Sequence, residues 1–298
     1  MAALASESSQ LIPAPWTIRG QSLIWGQRTY LMGVLNITPD SFSDGGQFNT
    51  LEAAVAQAQF LVAAGADILD IGGQSTRPGA AEVTVEAELQ RVVPVVQALR
   101  SGTAPLSVPI SVDTTRSVVA QAAIQAGADL INDISGGVSD PQMLPTVAAL
   151  KVPIVLMHMR GTPQTMQQLT DYQDLIGEIC EFLQNQIAAA IAAGIDRSQI
   201  AIDPGIGFAK TYQQNLEILR HVSSFRSLGC PVLVGSSRKS FIGHILNQPD
   251  PQARVWGTAA TCSAAIAGSA DLVRVHDVQQ MRDVCRVADA IWRSPPPD

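Results

Sequence analysis

The sequence predicts an α/β fold, a single closed (β/α)8 TIM-type barrel, and three observations carry that reading. Eight short apolar runs are bounded by turn residues, helical patterns separate most of them, and polar residues follow nearly every run. Short strands that are apolar on both faces belong to a parallel sheet covered by helices. Eight such repeats suggest closure into a barrel, whose strand ends all meet at one mouth. The competing arrangement, a doubly wound open sheet, would place its chemistry at one switch point.

The elements follow in order. Residues 1 to about 20 are small, polar and proline-containing, and are expected to form a flexible extension; the tail Ser294 to Asp298 carries three prolines and is expected to be loose, leaving 21–293 as the barrel. The first run, Tyr30 to Leu35, leads to Asn36 and a long polar loop closing on Gly45-Gly46. Leu51, Ala54, Val55, Ala58 and Leu61 then recur at helical spacing. The join Ala64-Gly65-Ala66-Asp67 leads into Ile68 to Ile71, which is followed by Gln74 and the loop Ser75 to Gly79. The third run, Pro109 to Val112, ends on Asp113. A second copy of the join, Ala126-Gly127-Ala128-Asp129, opens Leu130 to Ile134, which contains Asn132. Ile154 to Met157 ends on His158, Ile200 to Ile202 on Asp203, and Val232 to Val234 leads to Ser237-Arg238-Lys239. A third join, Gly268-Ser269-Ala270-Asp271, opens Leu272 to Val275, which carries Arg274 with His276 just beyond. Each join reads as a helix end, a glycine cap and a strand start.

Composition narrows the function. Of 298 residues, 46% are hydrophobic and 15% charged, and the formal net charge is -7. That sign opposes nonspecific binding of nucleic acid or anionic lipid, so any anion site must be local. The four cysteines are widely separated, with no C-x-x-C pair and no metal-ligand spacing. They are read as reduced, and with no apolar run long enough to span a bilayer the expected location is the cytoplasm.

Several groups carry possible chemistry. Arg274 and His276 are two apart on a strand and point the same way, which suits a phosphate; an ion pair of Arg274 with Asp277 or Asp70 is the plainer alternative. Asp113, Asn132 and Asp203 end three different strands, and two acids with an amide suit a heterocycle offering several N–H donors. Singly, Asp203 would cap the turn before Pro204-Gly205 and Asp113 the following helix. The run Gly205 to Thr211 lacks the glycines of a phosphate-binding loop. Of the adjacent cations Arg238 and Lys239, one is expected to face outward. His158 reads as a hydrogen-bonded wall residue, since no second His or Cys supports zinc. There is no G-x-S-x-G elbow.

Seven segments in order then carry a resemblance. They are Asn36-Ile-Thr-Pro-Asp-Ser-Phe-Ser-Asp-Gly-Gly, Ser75-Thr-Arg-Pro-Gly79, Ser111-Val-Asp-Thr114, Asn132-Asp-Ile-Ser-Gly136, Asp203-Pro-Gly-Ile-Gly-Phe208, Ser237-Arg-Lys-Ser-Phe241 and Arg274-Val-His-Asp277. Over about residues 30 to 285 the chain resembles the dihydropteroate synthase family. The resemblance implies a (β/α)8 barrel, a homodimer, and condensation of 6-hydroxymethyl-7,8-dihydropterin diphosphate with 4-aminobenzoate. It places pterin contacts on Asp113, Asn132, Asp203 and Lys239. Diphosphate contacts fall on Asn36, Arg274 and His276, with Mg2+ near Asn36. Aminobenzoate contacts fall on Phe42, Thr76, Arg77, Pro78 and Ser240. The catalytic set it implies is Asp113, Lys239, Arg274 and His276.

Gln74 stands where the family commonly has Glu, Thr115-Arg116 where it has Tyr-Lys, and Ala209 where it has Gly; the first of these bears on loop order and metal affinity. A methyltetrahydrofolate-binding corrinoid methyltransferase would share the acid and amide cluster but would not need Ser75-Thr-Arg-Pro or the Arg-x-His pair. A non-catalytic pterin-binding paralogue is the other alternative.

Overall fold

The computed structural model describes residues 13–37, 51–77, 79–102 and 105–293. The first elements among the described residues form a hairpin, β1 (Trp16–Ile18) and β2 (Gln21–Leu23). It continues as β3 (Tyr30–Asn36), α1 (Leu51–Ala64), β4 (Ile68–Gly72), α2 (Val85–Ser101), β5 (Ile110–Asp113), α3 (Ser117–Gln125), β6 (Leu130–Asp133) and α4 (Met143–Leu150). Then come β7 (Ile154–Met157), α5 (Leu175–Ala192), β8 (Ile200–Asp203), α6 (Tyr212–Arg220), β9 (Leu233–Val234), α7 (Ser240–Leu246), α8 (Val255–Ala267), β10 (Leu272–Val275) and α9 (Val278–Trp292).

The eight strands from β3 to β10 pair in parallel in the order β8-β7-β6-β5-β4-β3-β10-β9. A parallel bridge between Ile202 and Val232 joins the two ends, with the Ile202 N–H donating to the Pro231 carbonyl at 2.9 Å. The closed barrel is therefore the architecture, and the open sheet is set aside. β3, β4, β5 and β8 each reach one residue beyond the expected apolar run, to Asn36, Gly72, Asp113 and Asp203. Those end residues are part of the pleat, so the sheet sets which way their side chains point.

The pleat divides the apolar residues into two cores. Leu69, Ile71, Ile110, Val112, Ile154, Leu156, Val273 and Val275 face the helices. Tyr30, Met32, Ile68, Leu130, Val155, Ala201, Leu233 and Leu272 fill the lower barrel with Trp16, Ile18, Leu23 and Trp25. This corrects the expectation of a flexible extension through residue 20. Trp16 packs edge-on against Trp25 at 5.2 Å, and Trp25 against Tyr30 at 5.6 Å. The indole N–H of Trp16 donates to the Ser198 carbonyl at 2.7 Å. The hairpin plugs the barrel floor because two indoles bury large apolar area there, and a three-residue strand leaves no periodicity to read. Residues 1–12 of the expected extension and the tail 294–298 lie outside the described residues.

The repeated join has a structural reason in its aspartate. Asp67 accepts the Leu31 N–H at 2.8 Å, Asp129 the Ile110 N–H at 2.8 Å, and Asp271 the Val232 N–H at 3.0 Å. Each carboxylate satisfies a donor at the foot of another strand, which would otherwise be left unpaired at the barrel floor. Among the described residues no helix is long and apolar enough to cross a membrane.

Candidate active site

Above the lower core the inward-facing positions turn polar. On β4 they run from Ile68 to Asp70 and Gly72, on β5 from Ser111 to Asp113, on β6 from Leu130 to Asn132, and on β8 from Ala201 to Asp203. β10 adds Arg274, with His276 just past its end. Asn36 pairs with Gly72, Gly72 with Asp113, and Asp113 with Asn132 along one rung of the sheet.

Arg274 occupies the centre. Its Nε donates to Asp70 Oδ2 at 2.6 Å and an Nη to Asp113 Oδ2 at 2.8 Å. Asn132 donates to the same Asp70 oxygen at 3.1 Å. Asp277, the other suggested partner, instead pairs with Arg238. Asp70 Oδ1 and Ser111 Oγ are buried with no protein partner. Burial raises the Asp113 carboxyl to about 7, against the pull of the Arg274 guanidinium 2.8 Å away.

Two glycines show how the mouth converges. A Cβ at Gly72 would lie 3.5 Å from Asn36 Oδ1 and 3.8 Å from Asp113 Oδ2. A Cβ at Gly235 would lie 3.7 Å from Asp203 Oδ2 and 3.8 Å from Arg274 Cβ. Asn36, Asp113, Asn132, Asp203 and Arg274 thus share one cavity floor.

Lys239 enters the same space, its Nζ 4.1 Å from the centre of the Phe208 ring, while Arg238 turns away to Asp277. Burial and the neighbouring Arg274 push Lys239 down to about 8, against the pull of Asp203 and Asp113. Asp203 Oδ1 accepts the Gly205 N–H at 2.7 Å, and burial raises its carboxyl to about 6 in spite of that bond and of Lys239, Lys210 and Arg274. At neutral pH it is therefore mostly ionised.

His276 is a neutral group. Burial, Arg274, Arg238, Lys239 and Arg77 push its imidazole down to about 3. The Ser237 hydroxyl accepts the His276 main-chain N–H at 3.2 Å and lies 3.0 Å from Nδ1. A hydroxyl that accepts from the main chain can give its own proton to Nδ1, and in that tautomer the ring proton sits on Nε2. His276 then offers a donor without a charge.

The second loop approaches from the side. Thr76 is half-buried and Arg77 exposed, close enough for its charge to act on His276. The Gly79 N–H donates to the Pro163 carbonyl at 3.0 Å. Gln74 accepts the Val83 N–H, and Arg116 donates to the Val83 carbonyl and to Glu82 and Glu88. The two unusual residues therefore grip the loop's far end through the two backbone groups of one residue, Val83. Ala209 adopts φ 50°, a strained left-handed conformation for a residue with a Cβ, while its methyl is buried with Ile134, Met157, Met159, Met166 and Phe208. Ser240 is exposed at the start of α7. Phe42 and Pro78 lie outside the described residues, as does the first loop beyond Ile37.

Three contributors were not assigned from sequence. Asp70 entered only as an alternative partner for Arg274, although its even spacing from Ile68 and Gly72 marks it as inward-facing. Phe208, Met159 and Met166 join Met157 at the end of β7 in an apolar wall, from scattered positions that carry no periodic signal. Lys210 is fully buried beneath that wall, and nothing local in the sequence distinguishes it from a surface lysine.

As for metals, no group of three or more His, Cys, Asp or Glu among the described residues is arranged to hold an ion. The donor set at the mouth, an amide oxygen from Asn36 near the Asp113 carboxylate, fits a hard cation that brings most of its ligands with a phosphate substrate.

A family model described as pterin binding enzyme matches residues 32–276. The dihydropteroate synthase of Synechocystis sp. is 58% identical over 286 residues, covering 96% of this chain and 98% of that protein. The solved Xanthomonas albilineans dihydropteroate synthase with 4-aminobenzoic acid is 44% identical with a TM-score of 0.86, covering 95% of this chain and 100% of that one. The same organism's enzyme in complex with 7,8-dihydropteroate is 41% identical with a TM-score of 0.83, again covering 95% and 100%.

Proposed function

The chain belongs to the pterin binding enzyme family, and from that premise we propose how its barrel mouth works as a dihydropteroate synthase. The reaction joins 6-hydroxymethyl-7,8-dihydropterin diphosphate to 4-aminobenzoate, giving 7,8-dihydropteroate and diphosphate. The observation that supports this use of the site most directly is the meeting of Asp203, Arg274 and Lys239 over Gly235 and Gly207.

In this reading the pterin ring lies at depth. Asp203, ionised at neutral pH, accepts from the ring's amino-amidine edge, and Asn132, Asp113 and Lys239 supply the remaining polar contacts. Phe208, Met157 and Ile134 cover the flat face. The diphosphate faces the rim, toward Asn36, Arg274 and the Nε2–H of His276. Because Arg274 already serves Asp70 and Asp113, its position is fixed before substrate arrives, and no reorganisation is needed as charge develops.

Departure of diphosphate leaves a positive charge that the dihydropterin ring delocalises, so bond breaking precedes attack. Asp113 and Asp203 stabilise that cation electrostatically. Asn36 would hold a Mg2+ ion in part, and that ion, when bound, would help neutralise the leaving anion. The aromatic amine is neutral and nucleophilic at pH 7, so no strong general base is required. Thr76, Arg77 and Ser240 bound the amine's pocket, and the resemblance adds Phe42 and Pro78, which lie outside the described residues.

The same proposal includes a homodimer. An apolar hollow of about 620 Å³ lies between α6, α7 and α8, lined by Leu216, Leu219, Phe241, Ile242 and Ile245. Trp256, on α8, is 75% exposed. A second copy covering this face is the expected occupant. A cytoplasmic setting accords with four free cysteines, three of them buried.

The test is turnover by the purified protein with both substrates and Mg2+, following diphosphate release and omitting each component in turn. Release that does not depend on 4-aminobenzoate would reject the synthase reading.

A further inference from the structure

Lys210 is one of the largest fully buried side chains among the described residues, and the chemistry above leaves it without a role. Its ammonium donates to the Phe208 carbonyl at 2.9 Å and to His158 Nδ1 at 3.0 Å. Both acceptors are neutral. Burial, Lys210 and Arg160 push the His158 imidazole down to about 2, so its ring accepts and never competes as a cation. Among the described residues no carboxylate forms an ion pair with Lys210. Asp203 is the charge that favours its ionised form, while burial, Arg160 and Lys239 oppose it and bring it down to about 7.

Taking an ammonium out of water is costly, and a methionine of similar length would fill this space without that cost. What the charge does is act on its surroundings. The His158 N–H donates to the Asp203 carbonyl at 2.9 Å, and Asp203 Oδ1 accepts from Gly205. Gly205 has φ 73°, and a Cβ there would fall 2.0 Å from the His158 carbonyl oxygen and 3.3 Å from Lys210 Nζ. Lys210 therefore lies directly under the turn that carries Asp203, and it holds the carbonyl of the residue whose ring faces Lys239.

We infer that Lys210 is a positioning residue for the pterin pocket, tying the Phe208 carbonyl to the end of β7 and supplying from below a positive charge that the Asp203 carboxylate faces. This rests on the pterin reading of the site and adds to it: affinity for the ring depends on a side chain that the ring does not touch.

The groups that face Asp203 are Lys210 from the loop after β8, Lys239 from the turn after β9 and Arg274 from β10. Those that face Lys210 are Asp203, Lys239, His158 and, from the segment after β7, Arg160. Without Lys210 the Asp203 carboxyl protonates at higher pH. The experiment is calorimetric binding of 6-hydroxymethylpterin between about pH 6 and 8.5 by the parent, Lys210→Met, Lys210→Gln and Lys210→Arg, and by Lys210→Met combined with Asp203→Asn.

In Lys210→Met, one pKa unit at Asp203 lowers affinity about fivefold near pH 6 and about twofold near pH 7, and the loss vanishes near pH 8.5, where the carboxylate is ionised with or without Lys210 and Lys210 itself is mostly neutral. Lys210→Arg stays near the parent, and the methionine change adds little in the Asp203→Asn background. Lys210→Gln keeps a donor for Phe208 without the charge and shows the same pH profile, so misfolding of the methionine variant does not shield the claim. A loss equal at every pH, or one additive with Asp203→Asn, overturns it. A parent that does not bind the pterin at all refutes the reading of the pocket instead.

Discussion

Asp70 receives the Arg274 guanidinium at 2.6 Å inside the barrel, joining the second strand of the closed sheet to its last. Asp70 is fully buried, and the same oxygen takes the Asn132 amide. The pair fixes the guanidinium that also serves Asp113. Asp70→Ala removes one anchor of a buried cation and is expected to cost about 3 kcal/mol of stability, at the lower end for broken buried pairs because Asp113 remains. Urea unfolding checks this; a change below about 1 kcal/mol would show that the pair is dispensable.

Asp203→Asn separates stability from binding. The folded carboxyl is raised to about 6 from an ordinary 3.8. Between those values the folded state holds more protons than the unfolded one, so this group's contribution to stability declines as pH rises through that window and stays low above it. The amide removes the penalty. The variant should therefore gain up to about 3 kcal/mol near pH 8, a gain that shrinks as pH falls below about 6 and is small near pH 4, while its affinity for 6-hydroxymethylpterin drops. Denaturation at the two pH values and calorimetry measure both arms; undiminished pterin affinity counts against the assigned contact.

Thr76 tests the second loop. Gln74 and Arg116 hold the loop's far end at Val83, and Arg77 lies within electrostatic reach of His276. Thr76→Val is expected to raise KM for 4-aminobenzoate several-fold, about 1 kcal/mol, with pterin affinity nearly unchanged. The opposite pattern in steady-state kinetics would exclude the loop from the amine's pocket.

Trp16→Ala addresses the barrel floor. Trp16 is 3% exposed and packs on Trp25. Loss of a buried indole should cost about 3–5 kcal/mol, with KM for both substrates unchanged because the floor lies opposite the mouth. A thermal melt together with kinetics decides it; a change in KM without loss of stability would place the hairpin's role at the site.

The sequence determined the barrel, its eight strands to within a residue or two, and most polar groups at its mouth. Strand-ending acids and amides are local signals, and a parallel barrel converts strand ends into neighbours whatever separates them along the chain. It left open whether Arg274 answers an anion or a carboxylate, which of Arg238 and Lys239 turns inward, and what Trp16 and Lys210 are for. Those are matters of pairing between distant segments. Arg274 finds Asp70 only because the closed sheet brings β10 beside β3 and across from β4. Lys210 is buried only because the loop after β8 folds back over His158. Burial and partnership depend on what closes over a residue, and a linear pattern of side chains carries no record of that.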